Sequence, residues 1–362
     1  MAAPDANPFR LTVLNPGGHD AEQHFRDGAG ERTQSHPPTN FHAYAACTHG
    51  SFHRNTKRAI AENTPVLLLL RGDFRESERA LAALQTAGRS VAVSLKETGL
   101  HQIAEQLRDP NRLARFARIV KRADGCIAPT PEAADLYRAI RRASDGVAFI
   151  PTPYPIDDAR WHFARPIAER SGIFVGTREW NVPSRNHLAA LLVARSLSDE
   201  TNESVTVFNL DGRKGARLLS EIGFAPGKLR VLEQRLSHPD YLQEIARHKI
   251  VFQLDTSFVP GQVAGDALLC RVPCVGGNGA IERLAFPDSC GFAKSIEDIA
   301  RTGSRLLTDR IFYKQFVADT ETRALSRVAF KVIAGAVESF LGGLLPKQHR
   351  VLEEEAKKYP KK

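Results

Sequence analysis

No apolar run in the 362-residue sequence approaches the ~20 residues that a membrane-spanning helix needs. The opening, MAAPDANPFR, lacks the charged-then-apolar pattern of a secretory signal, so a cytoplasmic chain is expected. There is no CxxC pair. The five cysteines, Cys47, Cys126, Cys270, Cys274 and Cys290, are odd in number and widely spread, and reduced cytosolic thiols are the simplest reading. No helix-turn-helix, zinc-finger or aromatic-plus-glycine RNA motif is evident, and Lys and Arg are scattered. Nucleic acid is therefore not expected as a partner, although the net charge is +9. That excess fits a phosphate-bearing small molecule or an anionic membrane surface better. No GxGxxG fingerprint follows the first strand, which argues against a dehydrogenase. No internal repeat goes beyond a shared strand-helix pattern.

The length suits two average domains, with ordinary hydrophobic (42%) and charged (25%) content. Short β-rich runs alternate with helical patterns. The strand candidates are LTVLN (11–15), PVLLLL (65–70), SVAVSL (90–95), GCIAPT (125–130) and VAFIPTP (147–153), then SGIFVGT (171–177), SVTVFNL (204–210), LRVLE (229–233), KIVFQLD (249–255) and VPCVGG (272–277). Near-continuous apolar strands between helices imply parallel sheets covered on both faces. Pro151, Pro153 and Pro155 cannot continue a helix or a central strand, so residues 150–170 read as an interdomain crossing. The architecture inferred is α/β: two doubly wound domains facing a central cleft, with ligands beyond the carboxyl ends of the strands.

The stretch GDALLCRVPCVGG (265–277) places Asp266 at the head of a short apolar run. Strand KIVFQLD loops through TSFVPGQ into a helix starting near Gly261 and Gln262. That helix N-terminus offers free N–H groups and positive potential suited to a diphosphate. Asp266, in its first turns, can accept the two hydroxyls of a ribose. Plain helix-end electrostatics explains the acid equally well, and both readings stay open.

The stretch KIVFQLDTSFVPGQVAGDALLCRVPCVGGNGAIERL resembles the donor region of GT-B nucleotide-sugar glycosyltransferases, especially the family 4 type. There a strand runs into a serine loop, then a helix of the form Glu-Ala-hydrophobic-hydrophobic-small-Gly-x-Pro, then a strand and a Gly-Gly turn. Asp266 replaces the usual Glu, Arg271 replaces the usual Gly, and Phe258 stands where an earlier Glu is often found. GIFVGTREWNVPSRNH resembles the glycine loop that opens the second domain. Gly176 lies in it, Arg185 takes the place of the basic residue that meets the donor diphosphate, and Arg178 is a second candidate.

The resemblance implies two Rossmann-like domains, 1–160 on the acceptor side and 161–325 on the donor side. It also implies a helix at 326–345 packing back on the first domain, ahead of a charged tail at 346–362. It implies a nucleotide-sugar donor, an unidentified acceptor (glycan, lipid or protein), and no cofactor or metal. Gly17 and Gly18, straight after the first strand, would face the donor phosphates and the acceptor. Lys96 and Glu97 close a strand where the family commonly has a His or a His-Glu pair. Glu97 is thus the candidate base or acceptor-orienting group, although a plain surface Lys-Glu pair is the simpler description.

Early histidines, His19, His24, His36, His42, His49 and His53, match no standard zinc spacing. The segment HPPTNFHAYAACTHGSFHRN (36–55) reads instead as a loop and helix that shape the acceptor site. NRLARFARIVKR (111–122) is amphipathic, with Leu113, Phe116, Ala117 and Val120 on one side and Arg112, Arg115, Arg118 and Arg122 on the other. It is an ordinary surface helix or a contact for anionic lipid. The function expected is transfer of a sugar from a nucleotide-diphosphate sugar. Phe258 and Lys96 favour a second reading, a degenerate GT-B protein that binds a nucleotide sugar or a partner enzyme without turnover. For a sugar-nucleotide epimerase, the acidic and histidine residues to be expected are not evident.

Overall fold

A computed structural model of the chain describes residues 9–26 and 36–344; the expected charged tail at 346–362 lies outside the described residues. The chain forms two compact units. The first comprises the described parts of 1–34, 38–153 and 330–362, and the second is 154–329 with 35–37. The first crossing therefore falls at 153/154 and the second at 329/330. Tyr154 N donates to Val328 O at 2.9 Å, which holds the start and the end of the second unit side by side.

The first unit contains strands β1 (Thr12–Leu14), β2 (Gln23–His24), β3 (Ser51–His53), β4 (Val66–Leu70), β5 (Val91–Leu95), β6 (Gly125–Ala128) and β7 (Val147–Phe149). Their order is β2-β3-β1-β4-β5-β6-β7, parallel except for the β2–β3 pair. All five residues of β4 are buried because both faces of the sheet are covered. Side chains alternate across a strand. Val66, Leu68 and Leu70 pack with Leu81, Phe116 and Tyr137, whereas Leu67 and Leu69 pack with Phe41, Tyr44 and Val337.

The second unit contains β8 (Ile173–Val175), β9 (Val205–Phe208), β10 (Leu229–Leu232), β11 (Ile250–Gln253) and β12 (Cys274–Gly276), all parallel, in the order β10-β9-β8-β11-β12. The chain adds strands in one direction from β8, then returns to add β11 on its other side. Helix starts follow local chemistry. Thr130 accepts from Ala133 N with Pro131 at the first position, and Asp109 accepts from Arg112 N beside Pro110.

Two expectations need correcting. The last described helix is Phe330–Gly342, not 326–345: Ser326 and Arg327 end the preceding helix, Arg310–Arg327, and Val328 and Ala329 break the two apart. Its buried residues Ile333, Val337 and Leu341 join the first unit's core with Leu11 and Val13. In the helix Pro110–Arg122 the buried stripe is Phe116, Ile119 and Val120, while Leu113 is exposed. Arg115 and Arg118 both face Glu78.

Because Leu341 completes a core built from residues hundreds of positions earlier, Leu341→Ala should destabilise the first unit by about 2–5 kcal/mol. Native-state hydrogen exchange would show lost protection in strands β1, β4 and β5 with β8–β12 unchanged. Protection lost chiefly in β8–β12 would contradict the assignment of this helix.

Candidate functional site

In an open doubly wound sheet, ligands sit beyond the carboxyl ends of the strands where the order reverses. In the second unit that point lies between β8 and β11, and the loops leaving them are joined by hydrogen bonds. Thr256 N donates to Ser184 O (2.8 Å), Ser257 Oγ donates to Ser184 Oγ (2.8 Å), and Asn186 Nδ2 donates to Leu254 O (3.0 Å). Pro183–Arg185 forms a single 3-10 turn, and Asn186 then adopts φ 48° to enter the helix His187–Thr201. This turn sets Arg185 against Asp255, which is buried, and their side chains form an ion pair. Asp255 Oδ1 also accepts from Ser257 N at 2.7 Å. Nε of Arg185 is buried and has no hydrogen-bond partner.

Gly176 opens the β8 loop, where a Cβ would stand 2.6 Å from Val263 Cγ1, so only glycine lets the helix Gln262–Leu269 approach. Gly261 precedes that helix with φ 96°, and Gln262, its first residue, is exposed. Arg178 lies on the surface beside Glu179. Asp266 is at the fifth position of the helix, in its second turn, and is 1% exposed. Its Oδ1 lies 3.0 Å from Nε2 of His238, a residue of the helix His238–Ile245. Burial raises the Asp266 pKa above the usual carboxylate value, and the His238 hydrogen bond works against that rise. Its partnered state differs from the open carboxylate the sequence suggested: His238 is the accessible end of the pair.

The second unit holds a carboxylate that the sequence reading passed over. Glu282 is fully buried at the start of the helix Ala280–Ala285. Oε1 accepts from Gln253 Nε2 at 2.8 Å, and Oε2 has no hydrogen-bond partner. It is cradled by backbone: a Cβ on Gly261 or Gly279 would collide with Oε2, and one on Gly277 would stand 3.1 Å from Oε1. Burial pushes its pKa up to about 7, with the Asp255 charge adding to the rise.

In the first unit, Gly17 has φ 69° in the turn after β1, and Gly18 N donates to Asn15 O (3.1 Å). Arg71 at the end of β4 donates to Gly17 O, so the β1 and β4 loops are also joined. Lys96 and Glu97, just after β5, have different partners. Lys96 Nζ lies 3.1 Å from Asp20 Oδ2, which also accepts from Asn15 Nδ2 at 2.6 Å. Burial would raise the Asp20 pKa, but Lys96 holds it below the usual value. Glu97 accepts from Gln106 Nε2 at 3.3 Å. The structure thus brings Gly17, Gly18 and Lys96 together through Asn15 and Asp20. The segment expected to shape an acceptor site is largely core: Phe41, Ala43, Tyr44, Ala45, Ala46 and Cys47 of the helix Asn40–Cys47 are buried. His42 stacks on Phe52 (3.8 Å, 11°), while His24 and His53 converge on Glu62.

No protein-family description matches the sequence, and no curated protein does. Solved structures match over nearly the whole chain. Anabaena HepE, in complex with UDP and glucose, is 12% identical with a TM-score of 0.60, covering 93% of this chain and all of that one. The trehalose 6-phosphate synthase of Burkholderia multivorans is 10% identical with a TM-score of 0.59, covering 98% and 99%. The chain has the GT-B fold. Another similar structure, a UDP-forming trehalose-phosphate synthase from Burkholderia xenovorans, is 11% identical with a TM-score of 0.54 over 84% of this chain and 80% of that one. No helix among the described residues of this GT-B chain is long and apolar enough to cross a membrane.

Glu282 makes a testable pH signature. Below pH about 4.5 it is protonated whether the chain is folded or not; between about 4.5 and 7 only the folded state keeps the proton. The folded state then binds more protons, so stability from this group falls as pH rises through that window, by on the order of 3 kcal/mol. Glu282→Gln should flatten this slope in denaturant titrations across pH 4.5–7.5. A slope undiminished in the variant would mean that Glu282 is not the buried titrating group.

Proposed function

We propose that the chain transfers a sugar from a nucleotide-diphosphate sugar to an acceptor hydroxyl. The observation that supports this most is Arg185 at the strand-order reversal. It is a guanidinium fixed by a buried aspartate, with one nitrogen unpartnered, beside a helix whose first N–H groups follow Gly261. A diphosphate suits that setting, because a planar guanidinium and helix N–H groups both bind phosphate oxygens well. Arg178 and the exposed end of Gln262 complete the donor side. Arginine supplies the positive charge that the leaving diphosphate needs, so no metal is required for the step. The His238–Asp266 pair would take the ribose hydroxyls, with His238 turning its ring to share the carboxylate.

On the acceptor side, Glu97 is the proposed group that orients or deprotonates the acceptor hydroxyl, and the Lys96–Asp20 pair holds the loop at Gly17 and Gly18 in shape. We assign the helix Pro110–Arg122 an ordinary surface role, since Glu78 engages two of its arginines.

A second reading rests on Phe258. This residue has φ 51° and lies 6.3 Å from the ring of Phe292, and Arg283 stands 5.7 Å from its ring. A cation-aromatic cluster thus fills a place where the resembled family often has a carboxylate, which favours a protein that binds a nucleotide sugar without turning it over.

Calorimetry with a panel of nucleoside diphosphates and their sugars tests both. Arg185→Ala should weaken the best ligand about 10- to 100-fold, the loss of a hydrogen bond to a charged group. Asp266→Asn should weaken the nucleotide sugar with little change for inorganic pyrophosphate. Unchanged affinity in both variants removes this donor site. Binding without release of nucleoside diphosphate, against a broad acceptor panel, selects the second reading.

A further inference from the structure

The end of β3, the short strand β2 and the C-terminal end of the helix Thr56–Ala61 bring three metal-ligating side chains together, apart from the residues assigned to sugar transfer. β2 runs antiparallel to β3 with His24 opposite Ser51, so His53 is the diagonal neighbour of His24 on the same face. Glu62, the residue that ends the helix, reaches both. Oε1 of Glu62 lies 2.8 Å from Nε2 of His53 and 3.7 Å from Nδ1 of His24, and all three atoms lie within 4.8 Å of one another. Ligands at about 2.0–2.1 Å around a tetrahedral zinc ion stand roughly 3.3–3.4 Å apart, so small side-chain rotations bring the set into register. Among the described residues this is the cluster of His, Cys, Asp and Glu that could hold a metal ion.

We propose that His24, His53 and Glu62 form a binding site for a late first-row divalent ion of the zinc class, which ties β2 to β3 and to the end of the following helix. Two imidazoles and one carboxylate suit zinc, and imidazole disfavours magnesium or calcium. Arg58, in the helix that leads to Glu62, is engaged by Glu22, so its charge is offset. His24 is 56% exposed and His53 4%, which gives the ion an entry path on one side and a fixed ligand on the other. Three protein ligands leave a coordination position for water.

One feature sets the strength. When Nε2 of His53 binds metal, the ring proton resides on Nδ1, which is buried and has no hydrogen-bond partner. A ligating histidine ordinarily donates that proton, and losing such a partner lowers metal affinity about 10–100-fold. Binding in the micromolar range is expected rather than the tighter binding of closed zinc sites.

The test uses the untagged full chain after EDTA treatment and dialysis, with zinc alone as the probe. One equivalent of Zn²⁺ should bind by calorimetry, Mg²⁺ should not, and Co²⁺ should give the visible absorption of a four- or five-coordinate ion. His53→Ala carries a folding risk, so His24→Ala and Glu62→Gln carry the test. Each should lower zinc affinity at least 10-fold while the metal-free melting temperature stays near that of the unaltered chain. No zinc binding, or binding undiminished in both variants, overturns the site. Binding of the nucleotide panel should be unaffected by either variant, which keeps this outcome separate from that of the proposed transfer.

Discussion

Strands β8 and β11 lie hydrogen-bonded side by side although the chain between them has built β9 and β10 on the far side of β8. That reversal is the constraint on which the second unit's chemistry depends. At such a reversal the two connections depart in opposite directions and open a crevice beyond the strand ends, and here the loops leaving β8 and β11 are hydrogen-bonded to each other. Their residues then satisfy one another: Ser184 with Thr256 and Ser257, Asn186 with Leu254, Arg185 with Asp255. A buried aspartate in this position would be costly alone. Arg185 and the amide of Ser257 compensate it, and the same pairing fixes the guanidinium for any anion that arrives. In the proposed donor site, one ion pair would serve both structure and ligand.

Strands were legible wherever an apolar run marks them. Every one of the ten apolar runs read from the sequence contains an observed strand, from Thr12–Leu14 to Cys274–Gly276. Coverage on two faces favours runs of Val, Ile and Leu, and where they occur that pattern is written locally. The strands that were missed, the edge strand Gln23–His24 and its neighbour Ser51–His53, are very short and carry histidine in place of an apolar run. Ser51–His53 is a strand because Thr12–Leu14 offers it a parallel partner 39 positions away, and nothing in SFH announces this. The helix break at Val328 and Ala329 was hidden for a similar reason. The apolar spacing runs on across it, and only the contact with Tyr154 at the crossing ends one helix and begins another.

The candidate site was legible in its glycines and in Arg185, whose place after a strand-and-glycine turn is a local pattern. Its partners were not. Asp255 closes a strand that reads as apolar, and its role depends on an arginine 70 positions earlier. Glu282 looks like an ordinary helix acid, IERL, and its surroundings close only because Gly261 from one loop meets Gly277 and Gly279 from another. Asp266 was singled out, but its burial against His238 required knowing that the helices His238–Ile245 and Gln262–Leu269 pack together. Long-range pairings of this kind leave no periodic trace.

The two crossings between the units have a consequence for the order in which the molecule can be made. The second unit is one continuous stretch, 154–329, apart from 35–37, and its ends meet at the hydrogen bond from Tyr154 to Val328. The first unit is split around it, and Ile333, Val337 and Leu341 fill its core from the far side of the insertion. A ribosome delivers residues in sequence, and domains close as their chain emerges. The unit that begins first thus waits with an open apolar face against strands β1 and β4 while the whole of the second is synthesised. It closes only when the helix Phe330–Gly342 arrives, so the N-terminal unit is the last to be finished.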